Sequence, residues 1–201
     1  MRQEADEGAI VAAVRAAEAQ TSGQIVCVLA RQSCDSGAHS ALFAAVLALL
    51  APALMLALTQ FSAQRIFTVQ AAIFLAALLL FGWTRLGLAL TPRAEQRRQA
   101  FRAAIEQFYR RGLTRTHNRA GVLIFVSLAE RYARIVADDG LSGKVSEAEW
   151  RKVMDGMTAH LREGRITEAY VAAVQQTAAL LAPVAPPDGG GNELPDGLVR
   201  V

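Results

Sequence analysis

Lysine is almost missing from this chain. Of its 21 basic residues only Lys144 and Lys152 are lysine, and the rest are arginine. The bias is compositional and points to no partner. Cysteine is as scarce. Cys27 lies in a strand-like run and Cys34 in a loop, and two cysteines make no disulfide framework, which suits a reducing compartment. His39, His117 and His160 stand apart, and no Cys/His spacing has the pattern of a zinc site. The sequence also lacks a glycine-rich phosphate loop, a cysteine nucleophile with an adjacent arginine motif, and a Ser-His-Asp order. No apolar run accompanies Glu4, Asp6 and Glu7, so no signal peptide is expected there.

The largest deficit is charge, and it is local. From residue 41 to residue 84 the only charged side chain is Arg65. This stretch lifts the mean hydropathy to +0.25, while the rest of the chain has ordinary polarity. Ala41–Thr59 and a second run from Ile66 to Trp83 or slightly beyond are each long enough to cross roughly 30 Å of hydrocarbon. Gln60–Arg65 between them is a short polar turn. Pro52 is expected to kink the first span, which membranes tolerate. Phe61 and Phe67 would mark one interface and Trp83 the other, with Arg85 snorkelling to the headgroups. The contrasting account, two buried core helices, requires a polar face that neither run has.

Two spans place both flanking segments on one side. That side carries Arg31, Arg93, Arg97, Arg98, Arg102 and Arg110 near the spans, against Arg65 at the tip. The positive-inside rule puts the soluble part in the cytoplasm and the tip on the opposite side. The arginine-rich stretch Arg93–Arg119 follows a span directly. Topology and contact with anionic lipid account for it more economically than nucleic acid, which is not expected as a partner.

The flanking segments read as a soluble domain. Asp6–Gln20 sets Ile10, Val14 and Ala17 on one helical face, with Gly23 as a C-terminal stop. Ile25–Leu29 is a β-branched apolar strand. Thr91-Pro92 opens a helix that runs to about Gly112 with Phe101, Ile105 and Phe108 on one face. Gly121–Ser127 is apolar almost throughout, as a central strand covered on both faces would be. Leu128–Arg131 is a turn, and Tyr132–Ala137 returns antiparallel. Ser146 and Glu149 form a capping box for a helix bearing Trp150, Val153, Met154, Met157 and Leu161, which Gly164 stops. A last helix runs from about Ile166 to Ala182. The expected fold is an α/β sandwich, a small mixed sheet flanked by helices, interrupted by a two-helix transmembrane hairpin inserted between the strands at Ile25 and Val122. The corresponding segments are 1–37 and 91–183 for the two parts of the domain, 38–90 for the hairpin, and 184–201 for a flexible Pro/Gly-rich tail.

Three stretches carry a family resemblance: Glu18-Ala-Gln-Thr-Ser-Gly-Gln-Ile-Val, the run GVLIFVSLAERYARIVADDG (residues 121–140), and Asn192-Glu193-Leu194-Pro195. Together they resemble the TPM domain family, whose name joins a thylakoid lumen protein, a photosystem II repair protein and a nematode receptor modulator. The resemblance implies a compact α/β sandwich. For function it implies either an accessory factor for membrane complexes or an acid phosphatase, and calcium in some members. Gln24 departs from the pattern, which more usually has Glu there, and many relatives carry an N-terminal signal and lie outside the cytoplasm.

The acids clustered at a strand end are Asp138 and Asp139, followed by Gly140. As a twelve-residue loop, DDGLSGKVSEAE puts Asp138 first, Gly143 sixth and Glu149 twelfth, a partial EF-hand spacing that fails at its third position, Gly140. The plainer account gives Glu149 to the capping box and the two aspartates to a solvated turn. If the domain is a phosphatase, Asp138 and Asp139 would hold calcium or another divalent cation that activates water or clamps a phosphoryl oxygen, and Arg131 would bind the phosphate. No other cofactor is expected, and no catalytic residue is assigned. The leading expectation is a non-catalytic, membrane-anchored interaction or assembly factor, with membrane lipids and a membrane protein complex as partners.

Overall fold

The computed structural model of the chain describes residues 5–58, 60–83, 86–116, 118–187, 194 and 197–201. The chain divides into two compact units, residues 34–99 and the remainder on either side of them.

The larger unit is built on a four-stranded sheet with strand order β3-β2-β1-β4. Its strands are β1 (Ile25–Ala30), β2 (Val122–Ser127), β3 (Tyr132–Ala137) and β4 (Leu198–Arg200). β1 runs parallel to β2, Ile25 opposite Val122, and β3 pairs antiparallel to β2, Ser127 opposite Tyr132. The antiparallel β2–β3 pairing is the one expected from the sequence. Every residue of β1 and β2 is buried, because each strand has a helical layer on both faces. Alternation divides their side chains between two cores. Ile25, Cys27, Leu29, Val122, Ile124 and Val126 face α1 (Glu7–Glu18), α6 (Glu147–Arg162) and α7 (Ile166–Leu181). Val26, Val28, Ala30, Leu123 and Phe125 face Ala104 and Phe108 of α5 (Arg93–Arg110), with Leu113 beside them.

The helix ends follow their local chemistry. The Asp6 carboxylate accepts from the Ala9 N–H and starts α1. Ser146 and Glu149 form the expected capping box at α6. Gly112 and Gly164, both at positive φ, follow α5 and α6 as stops. Gly23 has a different role from the one expected. α1 ends at Glu18, and a Cβ on Gly23 would lie 2.8 Å from Leu181 Cδ1 and 3.1 Å from the Ala120 carbonyl. Close packing, not helix termination, requires glycine there.

The C-terminal segment corrects a second expectation. Its end is not a flexible tail: Leu198–Arg200 forms β4, parallel to β1, with Cys27 opposite Leu198. The Arg31 N–H donates to the Val201 carbonyl at 3.0 Å and the Val201 N–H to Leu29 at 3.1 Å. Without β4, β1 would be an apolar edge strand. Arg200 secures it further through an ion pair with Glu7 at 2.6 Å. Of the Asn192–Pro195 stretch, only Leu194 lies among the described residues. Its N–H donates to Gln24 Oε1 at 3.2 Å, so the amide that replaces the more usual carboxylate serves as a backbone acceptor.

The smaller unit contains α2 (Gly37–Leu58) and α3 (Ala63–Trp83), followed by the short α4 (Leu86–Leu90). α2 and α3 are long and apolar enough to cross a bilayer. Their leucines point outward, as does Phe67: Leu49, Leu56 and Phe67 are 67%, 69% and 69% exposed. At the open end of the pair the backbone approaches closely. A Cβ on Gly87 would lie 2.5 Å from Ser40 Oγ and 3.0 Å from Ser36 Oγ.

Candidate functional site

The β2–β3 hairpin positions the acid pair. Its register places Val122 opposite Ala137. Continued one step outward, the Asp138 N–H donates to the Gly121 carbonyl at 2.9 Å. Two steps further, the loop before β2 meets the loop after β3. There a Cβ on Gly140 would fall 2.4 Å from the Arg119 carbonyl and 2.7 Å from that of Asn118. Only glycine allows this approach, and it fixes Arg119 beside both aspartates.

Asp138 is buried and Asp139 exposed. The Arg119 guanidinium spans them. Nη2 lies 3.3 Å from Asp138 Oδ1 and 3.2 Å from Asp139 Oδ2, and Nε lies 3.4 Å from Asp138 Oδ2. The hydrogen bonds to Asp138 and that residue's charge hold the Arg119 pKa above its ordinary value. Asp138 Oδ1 also accepts from the Asp139 N–H at 2.8 Å. Arg119 itself is held at φ 49°, a left-handed conformation that disfavours a non-glycine residue. Alongside is a cavity of about 310 Å³ bordered by Ser22, Asn118, Leu141, Lys144 and Ala185. On its wall, Asn118 Nδ2 donates to Ser22 Oγ at 3.2 Å.

The twelve-residue loop does not close around an ion. Glu149 Oε2 accepts from the Ser146 N–H at 2.8 Å and from Ser146 Oγ at 2.7 Å. These bonds hold its pKa below the usual carboxylate range and commit the carboxylate to the helix cap. Among the described residues no group of three or more His, Cys, Asp or Glu side chains is placed to hold a metal. With Arg119 bound across both carboxylates, the donor set does not fit a divalent cation.

Arg131 is not part of this arrangement. It is exposed, in the turn before β3, at φ 51°. Asp138 follows the other end of the same strand. Seven extended residues separate the two backbones by roughly 23 Å, beyond the reach of an arginine side chain. The structure joins Asp138 and Asp139 and leaves Arg131 apart from them.

A second polar cluster, missed in the sequence, lies at Arg131's end of the strands. The fully buried Ser127 donates its hydroxyl to Glu130 Oε2. Ser33 Oγ donates to Ser127 Oγ at 2.8 Å, and the Ser33 N–H to Glu130 Oε1 at 3.0 Å. Glu130 therefore ties the exit of β1 to the β2–β3 turn.

Residues 86–180 match a family model described as the TPM domain. The match begins after the hairpin, although the sheet takes its central strand β1 from before it. Among solved structures, the NMR structure of the BA42 protein from the psychrophilic bacterium Bizionia argentinensis is similar, with a TM-score of 0.62 at 19% identity over 97% of this chain and 92% of that one. At this identity the likeness concerns the fold. No curated protein sequence matches the chain.

Proposed function

This chain is a TPM-domain protein, and on that premise we propose that it is a membrane-tethered, non-catalytic interaction module that helps to assemble or maintain a membrane complex. The observation that carries the proposal is the pair of outward-facing apolar helices inserted between the two central strands of the domain. A soluble protein would bury such faces, and a bilayer covers them. The polar clusters support a non-catalytic role: Arg119 engages the acid pair, and Glu130 accepts from Ser33 and Ser127.

Purification from native membranes in mild detergent tests this. The intact chain is expected to retain partner proteins in fixed ratio. Metal-dependent hydrolysis of a phosphoester by the purified protein, lost in Asp138→Ala, would instead establish the phosphatase reading.

The arginine count extends the proposal to sidedness, with the TPM domain in the cytoplasm and the tip between α2 and α3 on the far side. In intact cells, Ser62→Cys is expected to react with an impermeant maleimide and Glu163→Cys to remain unlabelled. Both positions are exposed. The native thiols give little background, since Cys27 and Cys34 are buried and burial pushes the Cys27 pKa up. The opposite labelling pattern would invert the topology.

A further inference from the structure

We infer that the Arg119 guanidinium is the resident cation of the Asp138–Asp139 pair and excludes a divalent metal from it. Three features converge on this. The hairpin register brings Arg119 to the acids. Gly140, which has no room for a Cβ against the Arg119 and Asn118 carbonyls, locks the two loops together. The guanidinium then bridges both carboxylates at 3.2–3.4 Å.

Charge decides the outcome. Two aspartates and one arginine leave a single net negative charge, with the arginine already seated between the oxygens. An entering divalent cation would have to displace a guanidinium that cannot lose its proton, or sit beside it. Without Arg119 the same place would carry two negative charges, one of them on the buried Asp138, and no positive partner from this loop. That arrangement attracts a hard divalent cation to carboxylate oxygens. The backbone conformation points the same way. Arg119 occupies a left-handed position where glycine or asparagine would be easier, and its side chain makes the bridge that neither could supply. The inference concerns only the TPM domain and holds whether or not the chain spans a membrane.

Thermal melts of the full-length protein in detergent, with calcium chloride or with potassium chloride at matched ionic strength, provide the test. Arg119→Gly is the informative variant, because glycine accepts the local backbone without strain. The native protein and Arg119→Lys are expected to melt at the same temperature in both salts. Arg119→Gly is expected to gain a calcium-specific rise of several degrees and a binding heat in calorimetry, by mass action on the folded state. Both are expected to vanish in Arg119→Gly combined with Asp138→Asn. A calcium-specific rise in the native protein that Asp138→Asn removes would overturn the inference, however the Arg119 variants fold. A folded Arg119→Gly protein without any calcium response would overturn it as well.

Discussion

Replacing His39–Leu90 with about four to six Gly/Ser residues is expected to leave a soluble domain that unfolds cooperatively, and deleting Gln24–Ala30 from the shortened protein to abolish folding. The linker can be short because the ends it joins already meet: Gly87 lies against Ser36 and Ser40, and the Asp35 N–H donates to Gln99 Oε1 at 2.8 Å. A flexible chain of that length covers roughly 10–14 Å. The deletion is severe because β1 has hydrogen-bonded neighbours on both sides and a core on each face. Burial of Ile25, Val26, Val28 and Leu29 contributes about 6–12 kcal/mol at ~1.5–3 kcal/mol each. That is comparable with the whole stability of a domain, about 5–15 kcal/mol. Circular dichroism and thermal melts of the two proteins decide the matter. A shortened protein that is insoluble or molten would show that the domain needs the apolar helices to form. A deletion that melts like its parent would remove β1 from the shared sheet.

Tyr170→Ala is expected to cost about 3–5 kcal/mol, the range for removing a large core side chain, and Tyr170→Phe about 1–2 kcal/mol through its lost hydrogen bond. Tyr170 is fully buried on α7, and its hydroxyl donates to the Val28 carbonyl of β1 at 2.6 Å. One side chain thus fills the first core and pins a helix to the central strand. Burial, followed by the charge of the neighbouring Cys27, raises the phenol pKa well above its ordinary value. In the unfolded chain the phenol titrates near pH 10. A folded-state pKa above that value means the stabilisation is complete below about pH 10 and is lost as pH rises further. Denaturant melts at neutral pH and above pH 10 check both points. Tyr170→Phe should lose stability with alkali less steeply than the native protein, by about 1.4 kcal/mol per pH unit for the missing titration. Equal alkaline slopes would mean the phenol does not titrate differently on unfolding.

The sequence made the main architecture legible because its signals were long. Some fifty residues with almost no charge form the two long apolar helices α2 and α3, and six consecutive apolar residues bounded by turns suit a strand covered on both faces. The shorter signals failed. Leu198 and Val199 offer two apolar residues beside Gly197, too few for any periodicity, and their structure depends on a partner strand more than 160 positions earlier. At the candidate site the acids are visible as a pair, but Arg131, expected to bind a phosphate beside them, is near only in sequence, and strand geometry sends it to the far end. Arg119 was recoverable in principle. A hairpin that pairs Ser127 with Tyr132 must, continued outward, bring residue 119 to residue 140. What the residue types did not reveal was the left-handed turn that sets the arginine against the two acids, since arginine is not expected there.

The position of β4 has a consequence for biosynthesis. Residues leave the ribosome in order, so β1 emerges first and must then wait. Its neighbour β2 appears only after both apolar helices have been made, and its other neighbour, Leu198–Arg200, only after the two helices that follow β3. Until then one edge of the most apolar strand is unpaired. Sheet closure is therefore a late event that follows synthesis of both apolar helices, and it depends on contacts between distant parts of the chain, which form slowly. A nonsense mutation at Leu198 would leave that edge open for good.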